Sequence, residues 1–297
     1  MNKKIIILLI INILLLIFIL YPEKSDEKNY PLFHITLISQ NMTDSFWDDV
    51  KKGADAAADE FNIFIEYLAP KFSDAQEHKK FFDMEVNAGV DGIITYGYEN
   101  LSDSINKTQI PVIAIKSDVL DSGRISFVGN INYEIGKKAA NIIYESGKRN
   151  TAIIINSESE NNLIVNGFLT EIKNYPDMNV LNIFVSKFGS ISSEEIVQSI
   201  LDKADAIFTT GFSDTIGAAQ VITSSNLVGK IIVVGSGINT EIEKYINYGV
   251  IYASISSDPY KMGYESVKKL TEYLEGNSIP NFVPIETKII TLEDKEN

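Results

Sequence analysis

Two aromatic residues side by side, Phe46 and Trp47, follow a polar turn at 39–45, and that turn follows an apolar run at 32–38. Rings held at such a turn can stack on the C–H faces of a small cyclic ligand. Neighbouring carboxylates and amides can then bind the ligand's polar rim. Asp44, in the same turn, is the nearest such group. Successive helical positions point about 100° apart, so one ring is expected to face a ligand and the other to pack as core. Trp47 is the only tryptophan in the chain and is expected to be the stacking ring.

The residues exclude most other chemistry. With no cysteine there is no disulfide, thiol nucleophile, thiolate metal site or N-terminal lipid-bearing cysteine. The two histidines leave little for a triad or a zinc centre: His34 reads as a strand residue, and His78, in a polar helical pattern, reads as solvated. No nucleophile stands beside a base, and no G-x-G-x-x-G or G-x-x-x-x-G-K loop occurs, so neither an enzyme nor a resident cofactor is expected. A net charge of −14 argues against nucleic-acid binding, which needs a basic face.

The Phe46–Trp47 turn belongs to a βαβ unit. A helical pattern with Val50, Ala54, Ala57 and Phe61 leads to a second apolar run at 63–68. Helices at 74–88 and 101–106 then alternate with a turn and strand within 89–96 and strands at 110–115 and 126–128. After a helix at 133–146 the rhythm starts again. Strands at 152–156, 180–185, 204–208, 230–235 and 250–254 alternate with helices at 163–174, 192–201, 214–223 and 240–248. A long helix at 258–275 and a strand at 288–291 finish the chain. Alternation of this kind predicts an α/β protein of two doubly wound parallel-sheet lobes, with a ligand cleft between the carboxyl ends of their strands.

The N-terminus reads differently. Lys3 and Lys4 precede an apolar run at 5–20 broken only by Asn12, and the run ends Phe-Ile-Leu-Tyr-Pro-Glu without the small residues of a cleavage site. An uncleaved signal anchor is therefore expected at 1–21, with a charged linker at 22–30. Positive-inside logic puts the rest of the chain on the extracellular or periplasmic side of the cell membrane.

Several stretches together resemble the periplasmic binding proteins of the ribose/galactose type, over about residues 31–292. They are Ser45-Phe46-Trp47-x5-Gly53-Ala54, Val90-Asp91-Gly92-Ile93-Ile94, Ile110-Pro111-Val112, Phe127-Val128-Gly129-x-Ile131-Asn132-x3-Gly136, Asn166-Gly167-Phe168, Ala204-Asp205-Ala206-Ile207-Phe208 and Asp258-Pro259-Tyr260-x-Met262-Gly263. The resemblance implies the type I periplasmic binding fold, with three crossovers near 130–133, 256–258 and 283–286 and hinge closure on a ligand. It divides the chain into an N-terminal lobe of 31–131 plus 258–284 and a C-terminal lobe of 132–257 plus 285–297.

It further implies a sugar or related polyol as ligand. Phe46 and Trp47 match the aromatic pair of the first lobe, and Phe188 falls where the second lobe often supplies a ring. The polar half departs from the pattern. Ile164 replaces an arginine, Gly211-Phe212 an Asn-Asp pair, Gly237 an aspartate and Ser257 a glutamine; Lys116-Ser117 and Tyr96-Gly97 replace further polar pairs. Each lost charged hydrogen bond is worth roughly 1.5–3 kcal/mol, so substitutes are needed. The expected ligand-binding set is Asp44, Phe46, Trp47, Tyr96, Lys116, Asp118, Asn132, Asn162, Phe188, Phe212 and Ser257, with Glu99 and Asn161 in reserve. The partner is expected to be a membrane permease complex that receives the ligand. The alternative is the ectodomain of a sensor kinase on which the same fold docks.

Overall fold

The computed structural model describes residues 32–44, 46–156, 161–186 and 190–292; the side chains of Asn156, Asn161, Asn162 and Ser190 are outside that description. The expected anchor and linker and Phe188 lie outside the described residues. Among the described residues no helix is long and apolar enough to cross a membrane.

Two six-stranded sheets organise the chain. The first takes β1 (His34–Ile38), β2 (Phe64–Leu68), β3 (Gly92–Tyr96), β4 (Val112–Ile115), β5 (Ser126–Gly129) and β11 (Phe282–Pro284), in the order β11-β5-β4-β3-β1-β2. The second takes β6 (Asn150–Asn156), β7 (Asn179–Ser186), β8 (Ala206–Thr209), β9 (Ile232–Ser236), β10 (Ile251–Ser256) and β12 (Lys288–Thr291), in the order β12-β10-β9-β8-β6-β7. Every residue of β3, β4 and β8 is buried, as expected of parallel strands covered on both faces.

The helices that cover the sheets are α1 (Phe46–Phe61), α2 (Ala75–Ala88), α3 (Ser102–Lys107), α4 (Asn132–Glu145), α5 (Asn161–Glu171), α6 (Ser190–Gln198), α7 (Phe212–Ser224), α8 (Thr240–Asn247) and α9 (Pro259–Leu274). Polar side chains cap three of these helices. Asp74 accepts from the N–H groups of Gln76 and Glu77, Asn239 from that of Ile242, and Asp258 from that of Lys261 ahead of Pro259 in the first turn of α9.

The last helix returns to the first lobe. There α9 lies against α1 at contact distance: a Cβ on Gly53 would sit 1.8 Å from the Tyr260 carbonyl oxygen, and one on Gly263 would sit 1.9 Å from that of Val50. The second lobe repeats the device between α4 and α5, where a Cβ on Gly136 would meet the Ile164 oxygen at 1.8 Å and one on Gly167 the Tyr133 oxygen at 1.9 Å. Two hydrophobic clusters flank each sheet; Met262, Val267, Leu270 and Ile285 complete one of those in the first lobe.

The chain passes between the sheets after β5, after β10 and after β11. Asn130 Nδ2 donates to Ser257 Oγ, joining the first two crossings, and Lys138 Nζ donates to Thr287 Oγ1 (2.7 Å) at the third. Two details differ from the sequence reading. A short strand, β11, adds to the first sheet beside β5. The final strand, β12, pairs antiparallel with β10, because it follows β11 directly and no crossover helix turns it parallel.

Candidate functional site

The carboxyl ends of both sheets face one another across a cleft of about 720 Å3. On the first-lobe side the loop after β1 is shaped by Asn41. Its Oδ1 accepts from the N–H groups of Thr43 (3.0 Å) and Asp44 (2.9 Å), and its Nδ2 donates to Ser73 Oγ (3.1 Å). The loop delivers Asp44 to the start of α1, where its carboxylate accepts from the Phe46 N–H at 2.9 Å. Phe46 then lines the cleft.

Trp47 does not line it. It is 6% exposed and packs in the first-lobe core, edge-on to Phe46 (5.3 Å between centroids) and to Tyr96 (6.1 Å). The expectation that Trp47 is the stacking ring is thus corrected: the step of one residue turns Phe46 to the cleft and Trp47 beneath the helix. Tyr96, at the end of β3, is 3% exposed in the same core. Asp118 is turned aside by Arg124, which donates to it through Nε and, at 2.6 Å, through Nη2. Glu99 is exposed in the turn before α3 and is not among the cleft residues.

Lys116 does line the cleft. Its backbone is left-handed, with φ +67°, and its ammonium lies 4.6 Å from the Phe46 ring centroid, 5.7 Å from that of Trp47 and 5.9 Å from that of Tyr96. A cation held by three ring faces is favourably placed without a carboxylate partner. Behind these rings His78 is fully buried, not solvated, with Nε2 2.8 Å from Thr95 Oγ1. Burial pushes its pKa down to about 4, so the imidazole is neutral at pH 7.

On the second-lobe side Asn132 opens α4, Phe212 opens α7 and Ser257 stands at the second crossing, all three lining the cleft as expected. Gly237, with φ +82°, permits a left-handed turn after β9, and a Cβ there would come within 3.3 Å of the Phe212 ring. Asn162 lies in the first turn of α5, but its side chain is outside the described residues.

Further lining residues were not foreseen: Gln40, Asn41, Asp49, Asn130, Thr210, Asp214, Ser236 and Asn239. Most stand within a few residues of the carboxyl end of a parallel strand, a signal that was available in the sequence. Asp214, buried in the first turn of α7, restores a carboxylate near the position where the resemblance had led to its loss being expected. Asn130 Oδ1 and Thr210 Oγ1 are buried and make no hydrogen bond among the described residues, so both are open acceptors at the cleft. No cluster of three or more His, Asp or Glu suited to a metal ion occurs among the described residues.

Two α/β lobes joined by three crossings, with a polar, ring-lined cleft between them, define a two-lobed binding-protein fold. The chain matches the family described as "Periplasmic binding protein domain" over residues 35–278 and belongs to that family. Among curated proteins it is similar to the ribose import binding protein of Haemophilus influenzae, at 23% identity over 267 residues, covering 86% of this chain and 91% of that one. Among solved structures it is similar to GanP, a glucose-galactose binding protein from Geobacillus stearothermophilus. That match has a TM-score of 0.83 at 30% identity and covers 88% of this chain and 98% of that one. The XylFII–LytSN complex also matches, with a TM-score of 0.79 at 29% identity over 89% of this chain and 99% of that one.

Proposed function

We propose that this protein is a membrane-anchored, extracellular solute-binding protein that closes its lobes on a sugar or related polyol and presents it to a transport complex in the membrane. The observation that carries the reading is the pair Phe46 and Phe212, one from each lobe, lining a cleft whose other residues are mostly amides, hydroxyls and carboxylates. A pyranose has apolar C–H faces and a rim of hydroxyls, and it matches such a lining better than a wholly apolar or wholly charged guest does. Ligand binding to both lobes favours the closed state by the difference in its affinity for closed and open forms.

A second reading has a specific support. XylFII, at 29% identity, has been solved in a complex with LytSN, so a protein of this fold can dock on another protein. In that reading the closed or open form of this chain is what a membrane signalling protein, such as a histidine kinase, recognises.

Calorimetric titration of the full chain in detergent against pentoses, hexoses and polyols tests the ligand. Saturable heats with a raised melting temperature are expected, and a panel without any response refutes the sugar reading. Co-purification with a permease or with a kinase ectodomain then separates the two roles.

A further inference from the structure

Lys116 follows β4 in a conformation that lysine rarely adopts. Its φ is +67°, and the Ser117 N–H donates to the Ile115 carbonyl at 2.8 Å, so Lys116 is the central residue of a γ-turn. Neighbours pin that turn from three sides. The Lys116 N–H donates to the Val128 carbonyl (2.9 Å), a Cβ on Gly97 would come within 2.2 Å of the Ser117 oxygen, and Arg124 holds Asp118. A left-handed lysine persists only where its surroundings over-determine it, and such strain gathers at ligand sites. Glycine would fill the turn without strain, so what the turn retains is the side chain.

No carboxylate of the cleft holds that side chain. Asp44 accepts from the Phe46 N–H, Asp49 pairs with Lys52 at 2.7 Å, and Lys116 Nζ makes no hydrogen bond or ion pair among the described residues. The ammonium stands among three rings instead, 4.6 Å from the centroid of Phe46, 5.7 Å from that of Trp47 and 5.9 Å from that of Tyr96. Trp47 and Tyr96 are fixed in the core, whereas Phe46 is half-buried at the first residue of α1.

We propose that Lys116 is a positioning residue: its ammonium ties the Phe46 ring to the two fixed rings and holds it in the orientation on which a ligand stacks, without touching the ligand, a role that rests on the sugar reading above and deepens it. Each ring attracts the cation through its quadrupole, and a strained, pinned backbone fixes where the cation can reach. Freedom that the Phe46 ring has already lost is not lost again on binding.

A double-mutant cycle tests this, with the sugar that binds the parent best titrated calorimetrically into the full chain in detergent. Lys116→Met is expected to weaken binding by about three- to tenfold. Lys116→Gly, which relaxes the turn, should weaken it as much, and Lys116→Arg, which keeps a cation on the rings, should hold it within about threefold. In a Phe46→Leu background Lys116→Met should change Kd by less than about twofold, because the lysine acts only through that ring. Trp47, the only tryptophan, reports the ammonium directly: its emission in the free protein should shift in Lys116→Met and stay in place in Lys116→Arg. Equal losses from Lys116→Met with and without Phe46 overturn the inference, since the lysine then meets the ligand itself, and leave the sugar reading intact. So does a Lys116→Met protein with parental Kd, or one with parental Trp47 emission. Absence of binding across the sugar panel overturns the two together.

Discussion

Replacing Phe46 and Trp47 by alanine, one at a time, should separate two roles held by adjacent residues of one helix. Phe46 lines the cleft with the Lys116 ammonium 4.6 Å from its ring centre. Its loss removes a stacking contact worth about 0.5–1.5 kcal/mol beyond area and part of the ~1.5–3 kcal/mol that burial of a phenylalanine side chain yields. Together these weaken ligand binding by roughly 2 kcal/mol, about 30-fold in Kd. The fold loses only the ring's partial packing. Trp47 is 6% exposed and sits edge-on to Phe46 and Tyr96 in the core. Truncating a buried ring of that size costs about 3–5 kcal/mol of stability. For a domain of 150–250 residues that lowers the melting temperature by roughly 6–20 °C. Differential scanning calorimetry and titration with a ligand from the sugar panel read both quantities. A Trp47→Ala protein that melts within about 2 °C of the parent but binds more than about tenfold more weakly would show that the indole, not Phe46, meets the ligand.

Two further outcomes follow from contacts away from the rings. Gly53→Ala places a methyl group 1.8 Å from the Tyr260 oxygen and so forces α1 off α9. A loss of about 1–3 kcal/mol or more is expected in urea unfolding, whereas Gly89→Ala, with open space around it but a φ of +74°, should cost only the backbone strain of about 1–2 kcal/mol. His78 has its pKa lowered by burial to about 4 from an ordinary value near 6.5. The unfolded chain therefore binds the extra proton between those values. The stability it contributes is full above pH 6.5 and falls as pH drops toward 4, by roughly 3 kcal/mol in all. Urea unfolding at pH 7, 5.5 and 4.5 should show that slope in the parent and a flatter one in His78→Gln; equal slopes would refute it.

The alternation of strands and helices was legible because the strands are buried on both faces and read as short apolar runs bounded by turns. What escaped were elements whose residues lack that contrast. Phe282–Pro284 pairs only at a sheet edge, contains a proline and alternates exposed and half-buried residues, so no apolar run marks it. His78 was misread for a related reason. The stripe that α2 buries is His78, Phe82 and Glu85, two of them polar, because the sheet beneath offers hydroxyls: Thr95 meets His78, and Thr36 donates to Glu85 at 2.6 Å. A pattern of apolar residues cannot reveal a core stripe whose partners are threonines on distant strands. The cleft itself was half legible. Asp44, Phe46, Lys116, Asn132, Phe212 and Ser257 line it as expected, whereas Tyr96 and Asp118 were drawn away by core packing and by Arg124. Asn41, Asn130 and Asp214 reach the cleft through loop geometry and the first turn of a helix, which spacing alone does not orient.

The glycine contact between α1 and α9 bears on the order in which the protein can be made. The strands β1 to β5 of the first lobe leave the ribosome early, but α1 covers one face of their sheet only in part, and Met262, Val267 and Leu270 of α9 complete that cover. Those residues appear only after the whole of 150–256, which holds five of the six strands of the second lobe in one uninterrupted stretch. The lobe translated first is therefore expected to be finished last, and to expose an apolar sheet face throughout synthesis of the second. A released chain ending before residue 259 should carry a second lobe close to completion and a first lobe still sensitive to protease. Synthesis of the last forty residues, rather than of the first hundred, is then the step at which the cleft comes into being.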